Sequence, residues 1–242
     1  MYDEPLFLTA GDRALVVEFG NSISPEINAR VHNLTVAIER SEAEGVVEIV
    51  PTYRSLMVHY DPSRVTASGL EDHIRDLGES LDEEVAGAAR VVRIPTLYGG
   101  EHGPDLEFVA QNAGMAVDEA VGVHSGTDYL VYMMGFSPGF PYLGGLSDRL
   151  VTPRLETPRS MIPAGSVGIA ESQTGVYPVT SPGGWRLIGR TPLKMFDATC
   201  EPPALLSAGD FVRFAPIDTE DEFQSIQRSA KEGRYEIEAT PL

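Results

Sequence analysis

Residues 163–192 read PAGSVGIAESQTGVYPVTSPGGWRLIGRTP. Three short pieces in this stretch are apolar or β-branched: Val167-Gly168-Ile169-Ala170, Val176-Tyr177-Pro178-Val179 and Trp185-Arg186-Leu187-Ile188. Each is bounded by glycine, proline or serine. Four-residue runs broken this often are too short for helices, and they read as strands of a β-barrel or sandwich. The texture extends to both sides, since residues 135–193 hold eighteen glycines or prolines.

Upstream, residues 127–134 (TDYLVYMM) combine aromatic and β-branched side chains and predict a buried strand. Residues 91–95 predict another strand. Between these two, residues 104–113 read as a short helix closed by Gly114, and residues 117–124 as a second. Downstream, Ala208-Gly209-Asp210 turns into a strand over 211–214, and a helix is expected over 220–232.

The first ninety residues have a different rhythm. Leu6-Phe7-Leu8 and residues 14–19 predict paired strands around Gly11-Asp12. Ser24-Pro25 supplies an N-cap and a proline at the first helical position, and Ile27, Val31, Leu34 and Ile38 then recur on one helical face. Gly45 ends that helix. Strands follow over 46–50 and 56–60, with a second helix over 63–77. The order ββαββα predicts a small α+β domain with both helices on one face of its sheet. An acidic and alanine-rich run, 82–89, reads as a linker. The expectation is an α+β domain at 1–88 and a mainly-β domain, barrel or sandwich, at 89–242.

Charge excludes several function classes. The 242 residues carry 36 acidic and 18 basic side chains, a net charge of −18. Nucleic-acid binding and adsorption to an anionic membrane both need clustered bases, so neither is expected. No apolar run reaches the length of a membrane span. The single cysteine, Cys200, fits a reducing, cytoplasmic setting and rules out an internal disulfide. The deficit is uneven, however. Residues 1–90 hold 17 acids and 7 bases, whereas residues 129–200 hold four acids and six bases. A mildly basic island in an acidic chain suits an anionic ligand.

Motif tests narrow the chemistry. Gly135-Phe136-Ser137-Pro138-Gly139 matches the G-x-S-x-G pattern of serine hydrolases. That motif needs a backbone N–H on the residue after the serine and a helix following, and Pro138 offers neither. Phosphate-loop and dinucleotide fingerprints are absent, and the five histidines never fall at metal-ligand spacing, so no metal site is expected. Arginines beside glycine turns are more informative. Pro153-Arg154 and Pro158-Arg159 repeat a dipeptide, and Arg186 and Arg190 flank Leu187-Ile188-Gly189. Guanidinium forks suit carboxylates and phosphates, and glycine turns let backbone N–H groups approach the same anion. The alternative is that these arginines neutralise the surplus of acids.

Residues 124–197 resemble the family that contains the B subunit of 5-oxoprolinase, the first subunit of the so-called allophanate hydrolases and a bacterial inhibitor of a sporulation histidine kinase. The resemblance rests on ordered blocks: His124-Ser125, Tyr129-Leu130-Val131, Gly135-Phe136-Ser137-Pro138-Gly139-Phe140-Pro141-Tyr142-Leu143, Pro163-Ala164-Gly165-Ser166-Val167, Gln173-Thr174-Gly175-Val176-Tyr177-Pro178, Ser181-Pro182-Gly183-Gly184-Trp185 and Leu187-Ile188-Gly189-Arg190-Thr191-Pro192. It implies a cyclophilin-like β-barrel after a small α+β domain. It also implies a sister barrel subunit and a third subunit, which together hydrolyse 5-oxo-L-proline to L-glutamate at the expense of ATP, with magnesium as the nucleotide's counter-ion. Two other activities are known in the wider family: the carboxyltransferase half of a biotin-dependent urea or amide carboxylase, and inhibition of a histidine kinase. Under the oxoprolinase reading, His124 and Tyr142 are the expected catalytic pair. Arg154, Arg159, Arg186, Arg190, Gln173 and Ser166 are the expected substrate-binding residues.

Overall fold

In the computed structural model, which describes residues 1–79 and 89–242, Ser24 caps the first helix as its sequence predicts. Its Oγ accepts the Ile27 N–H at 3.2 Å, and Pro25 follows at the first helical position. The elements of this part are β1 (Leu6–Thr9), β2 (Ala14–Glu18), α1 (Pro25–Ser41), β3 (Val46–Pro51), β4 (Ser55–Tyr60) and α2 (Ala67–Glu79). The antiparallel sheet has the order β1-β2-β4-β3. Ile27, Val31, Leu34 and Ile38 of α1 share one core with Leu70 and Ile74 of α2 and with Leu15, Val17, Leu56 and Val58 of the sheet, so both helices cover the same face. The second helix starts four residues later than expected. Asp61 spends its carboxylate on the Ser63 N–H and hydroxyl, at 3.0 and 2.8 Å, which holds a turn there. Thr66 then caps the helix by accepting the Gly69 N–H at 3.1 Å.

By internal contacts the chain divides into units at Met1–Ala88 and Ala89–Leu242. Of the expected linker at 82–89, residues 82–88 lie outside the described residues. The second unit contains β5 (Arg90–Tyr98), α3 (Leu106–Asn112), α4 (Val117–Ser125), β6 (Tyr129–Met134), β7 (Pro141–Gly144), β8 (Arg159–Ile162), β9 (Ser166–Ala170), β10 (Gln173–Val176), β11 (Ser181–Gly183), β12 (Arg186–Arg190), β13 (Phe211–Ile217), α5 (Glu220–Lys231) and β14 (Ala239–Pro241). Seven strands close into a ring in the order β12-β9-β10-β7-β6-β13-β5, because β5 also pairs with β12. The barrel implied by the family resemblance, one of the two architectures that the glycine-rich texture allows, is thus present. The strand expected at 176–179 ends at Val176. Tyr177 still exchanges bonds with Gly165 and Ser166, but Pro178 has no N–H to continue the ladder.

Strand alternation gives the barrel wall two faces. On β9, Val167 and Ile169 belong to the main core, while Ala170 belongs to a separate cluster with Phe140, Ile162, Tyr177, Trp185 and Leu187. The two-stranded ribbon of β8 and β11 lies over this second cluster through Ile162. Glycine is required in the contact: a Cβ on Gly183 would stand 2.5 Å from the Tyr177 hydroxyl.

Candidate functional site

The loop joining β6 to β7 is locally strained. Ser137 donates its N–H to the Gly135 carbonyl at 2.6 Å, which bends Phe136 into the left-handed region at φ 60°. A bulky residue in a γ-turn of this kind is held at a cost of about 1–3 kcal/mol. The turn also leaves the Phe136 ring 70% exposed. Strand leads to strand here with no helix after Ser137, so the loop is not a nucleophile elbow. Phe136 instead starts an aromatic chain. Its ring meets Phe140 edge-on at 5.6 Å, and Phe140 meets Tyr142 at 5.3 Å, Tyr177 at 5.7 Å and Trp185 at 5.7 Å. The Oγ atoms of Ser137 and Ser181 are fully buried and carry no hydrogen bond among the described residues.

Three of the expected arginines border this face. The Arg154 guanidinium lies over Trp185, 5.9 Å from the ring centroid, and carries no ion pair among the described residues. Arg159 is committed to Asp105, with Nη2 3.0 Å from Oδ1 and Nη1 2.9 Å from Oδ2. Arg186 stacks on Phe108 at 3.8 Å, donates Nε to the Pro153 carbonyl at 3.3 Å, and stands 3.9 Å from the same Asp105 carboxylate. Asp105 occupies the N-cap position of α3 yet caps nothing. It accepts the Leu187 N–H at 2.7 Å and so ties the arginines to the edge of β12. Sequence reading passed over Asp105. The one available signal, an acid after Gly103-Pro104 and before an apolar helix, points to a cap rather than to two arginines over fifty residues away. Burial pushes the Tyr177 phenol up, against the opposing pull of the Trp185 backbone N–H and of Arg154 and Arg159.

His124 lies elsewhere. It is 1% exposed and reaches into the barrel from α4, stacked on Phe214 at 4.6 Å. Its Nε2 is 2.8 Å from Thr174 Oγ1, and its Nδ1 is 2.7 Å from the Tyr98 hydroxyl. Thr174 gives its own proton to the Gly168 carbonyl at 3.0 Å. The proton on His124 therefore sits on Nε2, and Tyr98 donates to Nδ1. Burial pushes the ring down to about 3, so it is neutral at ordinary pH.

Tyr142 belongs to the outer aromatic cluster, whereas its neighbour Leu143 and the Thr174 opposite Leu143 face inward with His124. The wall of the barrel separates the expected catalytic pair. Gln173 begins β10 at the Arg186 end of the wall, opposite Ala170. Ser166 and Arg190 pair with each other at the opposite end of β9 and β12. The structure therefore gathers Arg154, Arg159, Arg186 and Tyr142 at one face and leaves His124, Arg190 and Ser166 outside it.

Among the described residues, no three His, Cys, Asp or Glu side chains come together as a metal site. What the outer face offers is an exposed guanidinium over an aromatic wall. Such a surface suits a carboxylate carried on a small flat ring.

Comparison with known proteins agrees with this architecture. Residues 5–206 match the family described as carboxyltransferase domain, subdomain C and D. The chain is 44% identical over 221 residues to the 5-oxoprolinase B subunit of Bacillus subtilis (strain 168), covering 87% of this chain and 92% of that protein. It superposes on the crystal structure of TTHA0988 with a TM-score of 0.77 at 37% identity, covering 86% of this chain but only 40% of that one. The crystal structure of the urea amidolyase of K. lactis gives the same TM-score of 0.77 at 22% identity, over 98% of this chain and 16% of that one, a likeness of fold. The chain belongs to the carboxyltransferase-domain family of subdomains C and D, and stands within it beside the 5-oxoprolinase B subunits.

Proposed function

We propose that this chain is the B subunit of a heteromeric, ATP-dependent 5-oxoprolinase that opens 5-oxo-L-proline to L-glutamate. The observation carrying the reading is the 44% identity to a 5-oxoprolinase B subunit across nearly the full length of both proteins. An unstrained lactam resists hydrolysis, and transfer of the ATP γ-phosphoryl group to its oxygen activates the carbon. Water then adds to that carbon and the C–N bond breaks, leaving γ-glutamyl phosphate; a second water attacks this acyl phosphate, and phosphate leaves with the former lactam oxygen. ADP, phosphate and glutamate are the products. Chemistry of this kind asks the protein for positioning and cationic contacts rather than covalent participation.

The outer face is suited to the lactam. The exposed Arg154 takes the substrate carboxylate, and the half-buried Tyr142 ring packs against the lactam ring. Arg159 and Arg186, held by Asp105, orient the wall. His124 braces β5 against β10 from inside, which makes it a positioning residue. Because Phe136 and Met161 stand 70% and 66% exposed, the face suits completion by a sister barrel subunit. A third subunit completes the complex, magnesium accompanies ATP, and the single exposed Cys200 suits a reducing cytoplasm.

The test is co-expression with the sister and third subunits, followed by measurement of glutamate release dependent on oxoproline and ATP. Turnover is expected. In the Arg154→Ala complex, KM for oxoproline should rise about tenfold or more at unchanged Tm, the worth of one charge-assisted contact. A well-folded complex without turnover would overturn the reading.

A further inference from the structure

At the end of the barrel marked by Arg190, away from the outer face, the second unit holds a groove of about 640 Å³. Its walls are the loop after β12, the loop leading to Leu205, the last turn of α5 and the segment around Tyr235. The volume falls within the range of about 300–1,000 Å³ usual for small-molecule sites. None of Arg154, Arg159 or Arg186 lines it.

Charge distinguishes this groove. In a chain of net −18, its lining contains Arg90, Arg190, Lys194 and Lys231 against one acid, Asp197. Two of the four cations are already matched: Arg90 by Asp210, at 2.9 and 3.0 Å, and Lys194 by Asp197, at 2.7 Å. The other two are not. Arg190 donates Nε to the Ala164 carbonyl at 2.8 Å, which fixes the plane of its guanidinium. Its Nη1 and Nη2 carry no hydrogen bond among the described residues. The Glu220 carboxylate, held first by His102, feels Arg190 only as a more distant charge. Lys231, at the end of α5, has no ion pair among the described residues either. The rest of the lining is largely apolar, with Pro178, Pro192, Leu205 and Ile237, and includes Tyr235. A groove that combines unpaired cations with apolar and aromatic lining suits an amphipathic anion: a flat body bearing phosphates.

We propose that this groove binds a nucleoside polyphosphate, with Arg190 and Lys231 holding the phosphates and Tyr235 with its apolar neighbours holding the base. The choice of ATP as that nucleotide rests on the oxoprolinase reading; the preference for a phosphorylated amphiphile rests on the groove alone. ADP, one product of the reaction, fits by the same chemistry.

The test is calorimetric titration of the full chain with ATP, ADP, inorganic pyrophosphate and adenosine. ATP and ADP should bind, pyrophosphate should bind more weakly, and adenosine more weakly still. Arg190→Ala and Lys231→Ala should each weaken ATP about tenfold, and the double variant more. Lys231→Ala sits on an exposed helix end and guards against simple misfolding, which a thermal melt of each variant also reports. ATP binding that is absent, or unchanged in both variants, overturns the groove assignment whatever the assembled complex does. Binding that responds to both variants upholds it, even if the complex shows no oxoproline turnover, an outcome that overturns only the oxoprolinase reading.

Discussion

His124 keeps a neutral ring because it is buried, with Nδ1 held by the Tyr98 hydroxyl and Nε2 by Thr174. Its sequence context, next to Ser125 at the end of a short helix, reads equally well as a catalytic histidine. The deciding partners are 26 residues before it and 50 after it. A consequence is visible in the pH dependence of stability. The folded ring titrates near 3, while the unfolded one keeps its ordinary 6.5. Between those values the unfolded chain takes up a proton that the folded chain refuses. The stability due to the neutral ring is therefore complete above 6.5 and is lost as pH falls toward 3, by about 1.4 kcal/mol per unit. Urea unfolding should show wild type more stable than His124→Asn at pH 7, with the gap about 2 kcal/mol narrower at pH 5. A gap independent of pH would mean that the ring is accessible to protons in the fold. Asp105 is the complementary case. Its pairing with Arg159 spans 54 positions, and only folding reveals that this arginine is occupied.

Among the elements, those defined by local signals were legible. Ser24-Pro25 and the stripe Ile27, Val31, Leu34 and Ile38 predicted α1, and the buried residues of that helix include all four apolar positions. The helix at 220–232 was equally readable, since Thr219 caps it through the Glu222 N–H and three acids open it. Shorter pieces were less so. Strands β7, β8, β11 and β14 have three or four residues each and owe their existence to partners elsewhere. The strand pair that closes the ring is a sharper example. β12 meets β5 through Gly189 opposite Tyr98 and Arg190 opposite Leu97, just past an irregularity in its pairing with β9. A Cβ on Gly189 would stand 2.8 Å from the Leu97 carbonyl oxygen, so only glycine permits the approach. Gly189→Ala should destabilise the barrel unit by about 1–3 kcal/mol, with the fastest amide hydrogen exchange at Leu97 and Tyr98. Uniform loss of protection around the ring would show that the closing pair is no weaker than the rest.

For the whole molecule, the net charge of −18 remains the main long-range term. Like charges repel in the folded chain, and salt screens them over about 10 Å at 0.1 M. Thermal stability should accordingly rise by a few degrees between about 10 and 200 mM NaCl, while ATP affinity at the cationic groove falls over the same range. A melting temperature that drops with salt would mean that ion pairs outweigh the net repulsion. The positive island of residues 129–200 does not survive as one field. Lys194 and Arg159 are neutralised by Asp197 and Asp105, Arg154 lies on the aromatic face, and Arg190 lines a groove without it.

Sequence alone determined the ββαββα start, the β-rich, glycine-turned second half and the family. Each of these is carried by residues a few positions apart, where periodicity, capping and turn chemistry act. Tertiary structure alone decided that His124 and Tyr142 stand on opposite sides of a wall, that Arg159 is held by Asp105, and that Arg190 lines a groove that Arg154 does not. Those outcomes depend on which residues ring closure and long-range ion pairing bring together, and no local signal encodes them.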